Sequence, residues 1–164
     1  MEQYVRSLIS RYRSAGVLVD SNLLLLLYVG GYDRELVATF RRTRDRFRPS
    51  DFDALRSALG DFEAIVTTPH ILTEVSNLMG QLTGPARDGC FDRFAKSIPV
   101  LNEHRPPSAH LVSDAAFVTL GITDTSILEI AARRYLVFTD DFPLYNRLTS
   151  RGIDTLNYNH IRPL

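Results

Sequence analysis

The sequence predicts an α/β fold built on a mostly parallel sheet with helices on both faces. Short apolar runs of strand length, Val17-Leu18-Val19, Ile65-Val66-Thr67 and Leu136-Val137-Phe138, recur along the chain. Between them lie longer segments with helical periodicity, the alternation that produces parallel strands joined by helical crossovers. A chain of 164 residues with 45% apolar and 23% charged residues suits one ordinary globular domain, here residues 1–164, able to bury a core without disulfides or structural metal.

The elements follow in order. Residues 2–14 read as a polar, arginine-bearing helix that Gly16 breaks before the strand Val17 to Val19. Asp20-Ser21-Asn22 caps an apolar helix, and Gly30-Gly31 ends it. A helical insertion of about 33–60 comes next, with helices over 33–46 and 51–59 separated by Arg48-Pro49-Ser50. After the strand Ile65 to Thr67, residues 70–82 carry the apolar stripe Ile71, Val75, Leu78, Met79 and Leu82 of an amphipathic helix. Residues 85–97 form another helix, 98–101 an extended segment and 103–110 a loop. The closing elements are a helix over 124–135, a strand over 136–138, a helix over 143–151 stopped by Gly152, and a strand over 153–156.

Composition excludes several classes. The apolar run Leu23 to Leu27, even with Tyr28 and Val29, is far short of the ~20 residues of a spanning helix, so it reads as a buried helix and not a membrane segment. The N-terminus lacks the apolar core of a secretory signal. Cys90 has no partner for an internal bridge, which favours a reducing compartment and a cytoplasmic location. With 19 basic and 19 acidic residues the molecule is no polycation. All basic residues but Lys96 are arginine, and Arg41, Arg42, Arg44, Arg46 and Arg48 crowd one stretch. A solvated helix end accounts for them; guanidinium's paired grip on phosphate makes them candidate RNA contacts.

Carboxylates follow the strands. Asp20 directly succeeds one, and Asp140-Asp141 succeed another by one residue, which puts them at the sheet edge where α/β proteins bind ligands. Glu74 lies on the border of its helix's apolar stripe, soon after a strand. Asp124 falls on the stripe of Ile127, Leu128, Ala131 and Tyr135, where an inward carboxylate is costly unless paired or bound to a cation. Taken singly, each acid is explained by a helix cap, a dipole partner or a surface glutamate. Together they converge on one rim. Hard oxygen donors, without Cys or His at metal spacing, select Mg2+ or Mn2+, and such an ion serves phosphodiester hydrolysis. Ser21, Asn77 and Thr139 lie near enough to support the acids through hydrogen bonds. His70 sits just ahead of the Glu74 helix, near the rim. No Walker loop and no Gly-x-Ser-x-Gly elbow occurs.

The ordered set Val-Asp20-Ser-Asn, Leu-Thr-Glu74-Val-Ser-Asn-Leu, Ile-Thr-Asp124-Thr-Ser-Ile and Thr139-Asp140-Asp141 resembles a PIN domain, the nuclease fold of VapC-type bacterial toxins and of several RNA-processing enzymes. The resemblance runs from about Gly16 to Leu156. It implies a three-layer α/β/α sandwich, an Mg2+ or Mn2+ site of one or two ions, and endonucleolytic cleavage of RNA. It also implies a homodimer and, for a toxin, an antitoxin protein as partner. The catalytic and metal-binding residues would be Asp20, Glu74, Asp124 and Asp141. The family pattern of Thr, any residue, Asp selects Asp141, with Asp140 in reserve, and Asn22 matches a polar residue that supports the site. The alternative is a PIN-like module that binds RNA or protein without cutting.

Overall fold

A computed structural model of the protein describes residues 2–132 and 134–162. Its centre is the strand β1, Val17–Val19, with all three residues at 0% exposure. An unbroken apolar run is what a parallel strand covered on both faces requires. β2 (Ile65–Thr67) and β4 (Leu136–Thr139) flank it, Val17 standing opposite Ile65 on one side and Leu136 on the other. β3 (Asn102–Glu103) and β5 (Thr155–Asn157) form the edges, giving the order β3-β2-β1-β4-β5 with every pair parallel.

Eight α-helices are formed among the described residues: α1 (Glu2–Tyr12), α2 (Ser21–Tyr32), α3 (Pro49–Leu59), α4 (Pro69–Met79), α5 (Gly84–Ser97), α6 (Ser108–Leu111), α7 (Phe117–Ala131) and α8 (Phe142–Ser150). They flank the sheet as a three-layer α/β/α sandwich, as the sequence predicts. The strand order has a functional consequence. The chain winds outward from β1 through β2 to β3, then returns to lay β4 against the other side of β1. The crevice beyond the carboxyl ends of β1 and β4 is therefore the topological switch point, where open α/β sheets bind ligands. The apolar run of α2 is core, with Leu23, Leu24, Leu25, Leu26 and Val29 all buried. Among the described residues no helix is long and apolar enough to cross a membrane.

Several local expectations are corrected. Residues 33–46 form a 3-10 segment, Arg34–Ala38, followed by turns rather than one helix. There the Thr43 hydroxyl donates to the carbonyls of Val37 at 2.8 Å and Phe40 at 3.2 Å, competing with the α-helical pattern. Gly30 and Gly31 do not end α2. A Cβ on Gly30 would lie 2.4 Å from the Phe52 ring, so the glycine is there to let α3 pack close. Residues 98–101 hold a 3-10 turn, Ile98–Val100, and 103–110 contains part of β3 and most of α6. The helix placed at 124–135 starts at Phe117 and ends at Ala131, interrupted at Gly121, whose φ of 80° and ψ of −179° only glycine adopts readily. The last strand begins at Thr155, opposite Val137, and α1 and α4 stop short of their expected ends.

Candidate functional site

Each acid is placed by the end of a strand or the opening of a helix. Asp20 leaves β1 with its amide donating to the Phe138 carbonyl at 3.0 Å, which prolongs the β1–β4 pairing. Its Oδ1 accepts from the Leu23 amide at 2.9 Å, capping α2, and its Oδ2 accepts from the Asp140 amide at 2.9 Å. The cap reading of Asp20 is therefore correct, and the same carboxylate also clamps the ends of two strands. It is 4% exposed. Burial first, and the charge of Asp140 second, push its pKa up to about 8, against the pull of its hydrogen bonds from Thr139, Leu23 and Asp140.

Asp140 is also fully engaged. Asn22 Nδ2 donates to its Oδ1 at 3.0 Å, Arg46 donates to its Oδ2 at 2.9 Å, and Asn159 holds its carbonyl at 2.9 Å. Asp141 caps α8, its Oδ1 accepting from the Leu144 amide at 2.8 Å, while its own amide donates to the Thr139 hydroxyl at 2.9 Å. Ser21, next to Asp20, donates to Glu74 Oε2 at 2.9 Å. Glu74 rides on α4, whose start is fixed by Pro69 in the first turn and by the Thr68 hydroxyl accepting from the Ile71 amide at 3.3 Å.

Asp124 is the exception. It stands in the first turn after the break at Gly121, where the Thr125 hydroxyl donates to the Gly121 carbonyl at 2.7 Å and the Ser126 hydroxyl to that of Thr123 at 2.6 Å. A 2.9 Å contact between the hydroxyls of Ser126 and Thr68 ties this turn to the start of α4. Asp124 is half-buried and makes no hydrogen bond or ion pair with any described residue. Burial, then the charges of Asp141 and Glu74, raise its pKa to about 7.

The rim thus divides. Every carboxylate oxygen of Asp20 and Asp140 has a protein donor. Across Glu74, Asp124 and Asp141, Glu74 Oε1, both oxygens of Asp124, and Asp141 Oδ2 have none among the described residues. Beside Glu74 opens a cleft of about 500 Å3, walled by Pro69, His70, Thr73, Asn77, Ile122 and Thr123. His70 Nε2 lies 3.2 Å from the Ser108 hydroxyl, and its Nδ1 is buried without a partner.

Of the residues expected to support the acids, Ser21, Asn22 and Thr139 each bond one, whereas Asn77 lines the cleft, exposed and without such a bond. The arginines of the stretch differ in their partners. Arg46 reaches Asp140, Arg42 Nε donates to Gln81 at 2.7 Å, Arg44 stands 3.5 Å from Asp45, and Arg41 and Arg48 are exposed. Thr68, which caps α4 and meets Ser126, carries its own trace in the sequence: a threonine just before a proline at a helix start is a readable capping signal. The Arg46–Asp140 pair spans 94 residues and leaves no local trace in the sequence.

As a ligand set the acids are all oxygen donors. Among the described residues, no group of three or more His, Cys, Asp or Glu side chains is placed to hold a metal ion as it stands. In comparison with known proteins, the chain matches no family model and no curated protein.

Proposed function

We propose that the protein is a divalent-metal-dependent endoribonuclease of PIN type, hydrolysing RNA phosphodiesters at the rim beyond β1 and β4. The observation that carries this reading is the open set of oxygens on three like-charged neighbours, with Asp124 unpaired between Glu74 and Asp141. A half-buried carboxylate with acid neighbours and no cation partner is unfavourable as an anion. A hard cation relieves that cost, and an all-carboxylate donor set suits Mg2+ or Mn2+.

Glu74, Asp124 and Asp141 would hold the ion, and Asp20 would add its charge from the buried side, directly or through water. The bound ion supplies positive charge against the phosphoryl oxygens and lowers the pKa of water. The chain's own contribution is positioning: Ser21 orients Glu74, Thr139 fixes the backbone of Asp141, and the Asp20 clamp holds the two strand ends together. Asp140, its oxygens taken by Asn22 and Arg46, serves as an anchor for the insertion. A toxin role, an antitoxin partner and a homodimer belong to the same reading. So does a cytoplasmic location, which suits the unbridged, buried Cys90.

A second reading, a module that binds RNA or protein without cutting, is favoured by the fully bonded state of Asp20 and Asp140 and by the lack of a preformed cage among the described residues. Incubation of the purified protein with labelled single-stranded and structured RNAs plus Mg2+ or Mn2+ separates the two. Cleavage that needs the ion and disappears in Asp124→Asn and Glu74→Gln is expected. Cleavage that survives in both variants would overturn the nuclease site, and binding without cleavage across the RNA panel would favour the second reading.

A further inference from the structure

On the α2 side of the rim, away from the cleft beside Glu74, lies a separate cavity of about 200 Å3. Its polar wall consists of Arg41, Arg42, Arg46, Asp45 and Asn22. Its apolar wall is Leu25 and Leu78. The single acid, Asp45, faces Arg44 at 3.5 Å, so the cavity has an excess of positive charge in a molecule whose net charge is zero.

The three arginines are not equivalent. Arg46 is held by Asp140. Arg42 is oriented by the bond from its Nε to Gln81 at 2.7 Å, which leaves both terminal nitrogens available. Arg41 is exposed and has no bonded partner among the described residues. Asn22 belongs both to this cavity and to the acid rim, since its amide donates to Asp140. The cavity and the acids therefore share a wall.

We propose that this cavity is an anion site for a phosphate of the RNA strand flanking the one at the acids, gripped by Arg41 and Arg42, with Arg46 and Asn22 joining the site to the rim. The identity of the occupant as RNA rests on the functional reading above, whereas the site itself rests on the arginines with unengaged nitrogens that line the cavity. Two planar guanidiniums lining one small cavity suit the bidentate recognition of a phosphate. The scissile phosphate would then be placed by its neighbour, not by the acids, which repel it when no cation is present.

The test is fluorescence anisotropy of a short, labelled single-stranded RNA in EDTA, where no cleavage occurs, as a function of salt. Arg41→Ala/Arg42→Ala is compared with Arg44→Ala/Arg48→Ala, which removes the same charge from residues outside the cavity; circular dichroism melts verify that both variants fold. The cavity pair is expected to weaken binding by at least about tenfold and to reduce the slope of log K against log salt by about 0.7, one phosphate contact's worth for a single strand. The outer pair is expected to change binding by about twofold or less. Equal losses in the two variants would overturn the site in favour of diffuse attraction. A polyglutamate peptide competing as well as unlabelled RNA of equal charge would overturn RNA as the occupant. Cavity-dependent binding of an RNA that is never cut in Mn2+ would support the site while removing the nuclease reading.

Discussion

Asp20 and Asp140 on one side of the rim, and Glu74, Asp124 and Asp141 on the other, are the same chemistry in opposite conditions. The first pair has a donor on every carboxylate oxygen, two from backbone amides and two from Asn22 and Arg46. Across the second trio, four oxygens are without a protein donor among the described residues, and Asp124 has no bonded partner at all. A saturated carboxylate holds structure together. An open, half-buried one beside like charges is unfavourable as an anion and marks a candidate ligand site. On the proposed reading the open half is where an ion would bind directly, with Asp20 behind it, and the contrast gives a physical reason to prefer Asp141 over Asp140 as the fourth acid of that site.

The two halves should separate under mutation. Asp124→Asn is expected to reduce Mn2+-dependent RNA cleavage by at least about a hundredfold, the upper end of what partners one shell further from a metal cost. The same change should raise the melting temperature of the metal-free protein at neutral pH, because it removes a repelled charge. Asp20→Ala should do the reverse to the fold, costing about 1–3 kcal/mol in denaturant unfolding through the lost cap and the orphaned Asp140 amide. If Asp124→Asn destabilised the protein as much as Asp20→Ala, the division of the rim would fail.

pH dependence sharpens the same contrast. Asp20 and Asp124 have folded-state pKa values raised to about 8 and about 7, so between about pH 4 and those values the folded chain binds more protons than the unfolded one. The contribution of these two acids to the stability of the metal-free protein then falls as pH rises through this window, and the melting temperature is expected to fall with it. Mn2+ should restore it more at the alkaline end than at the acidic end, measurable as melting temperature against pH with and without the ion. The smallest effect is expected of Arg46→Ala. Its guanidinium is half exposed while the Asp140 side chain is 6% exposed, and loss of the pair should cost about 1 kcal/mol, with little change in the metal dependence of cleavage.

Much of this was legible in sequence, for identifiable reasons. Val17 to Val19 and Leu136 to Phe138 reveal central strands because an apolar run with no polar interruption fits only a position buried on both faces. Helical phase puts Asp124 on the stripe of Ile127, Leu128, Ala131 and Tyr135; the first three are buried on α7, whereas Tyr135 lies beyond the end of the helix and is half-buried. Glu74 was expected at the border of its stripe and is exposed, with Ile71 and Val75 buried beside it. What periodicity could not show is non-local. Asn22 and Arg46 meet Asp140 across 118 and 94 residues, and those bonds make one acid structural. Nor could it show that residues 33–46 would form a 3-10 segment and turns, or that the chain would be helical from Phe117 with a break at Gly121.

The central claim, that the open half of the rim takes a divalent cation, is tested most directly by titrating Mn2+ into the protein at about pH 8, where Asp124 is ionised, and following binding by calorimetry. The wild type and Asp140→Asn should bind the ion with similar affinity, while Asp124→Asn should show no saturable binding. Saturable binding to Asp124→Asn at wild-type affinity, or its loss in Asp140→Asn alone, would contradict the account.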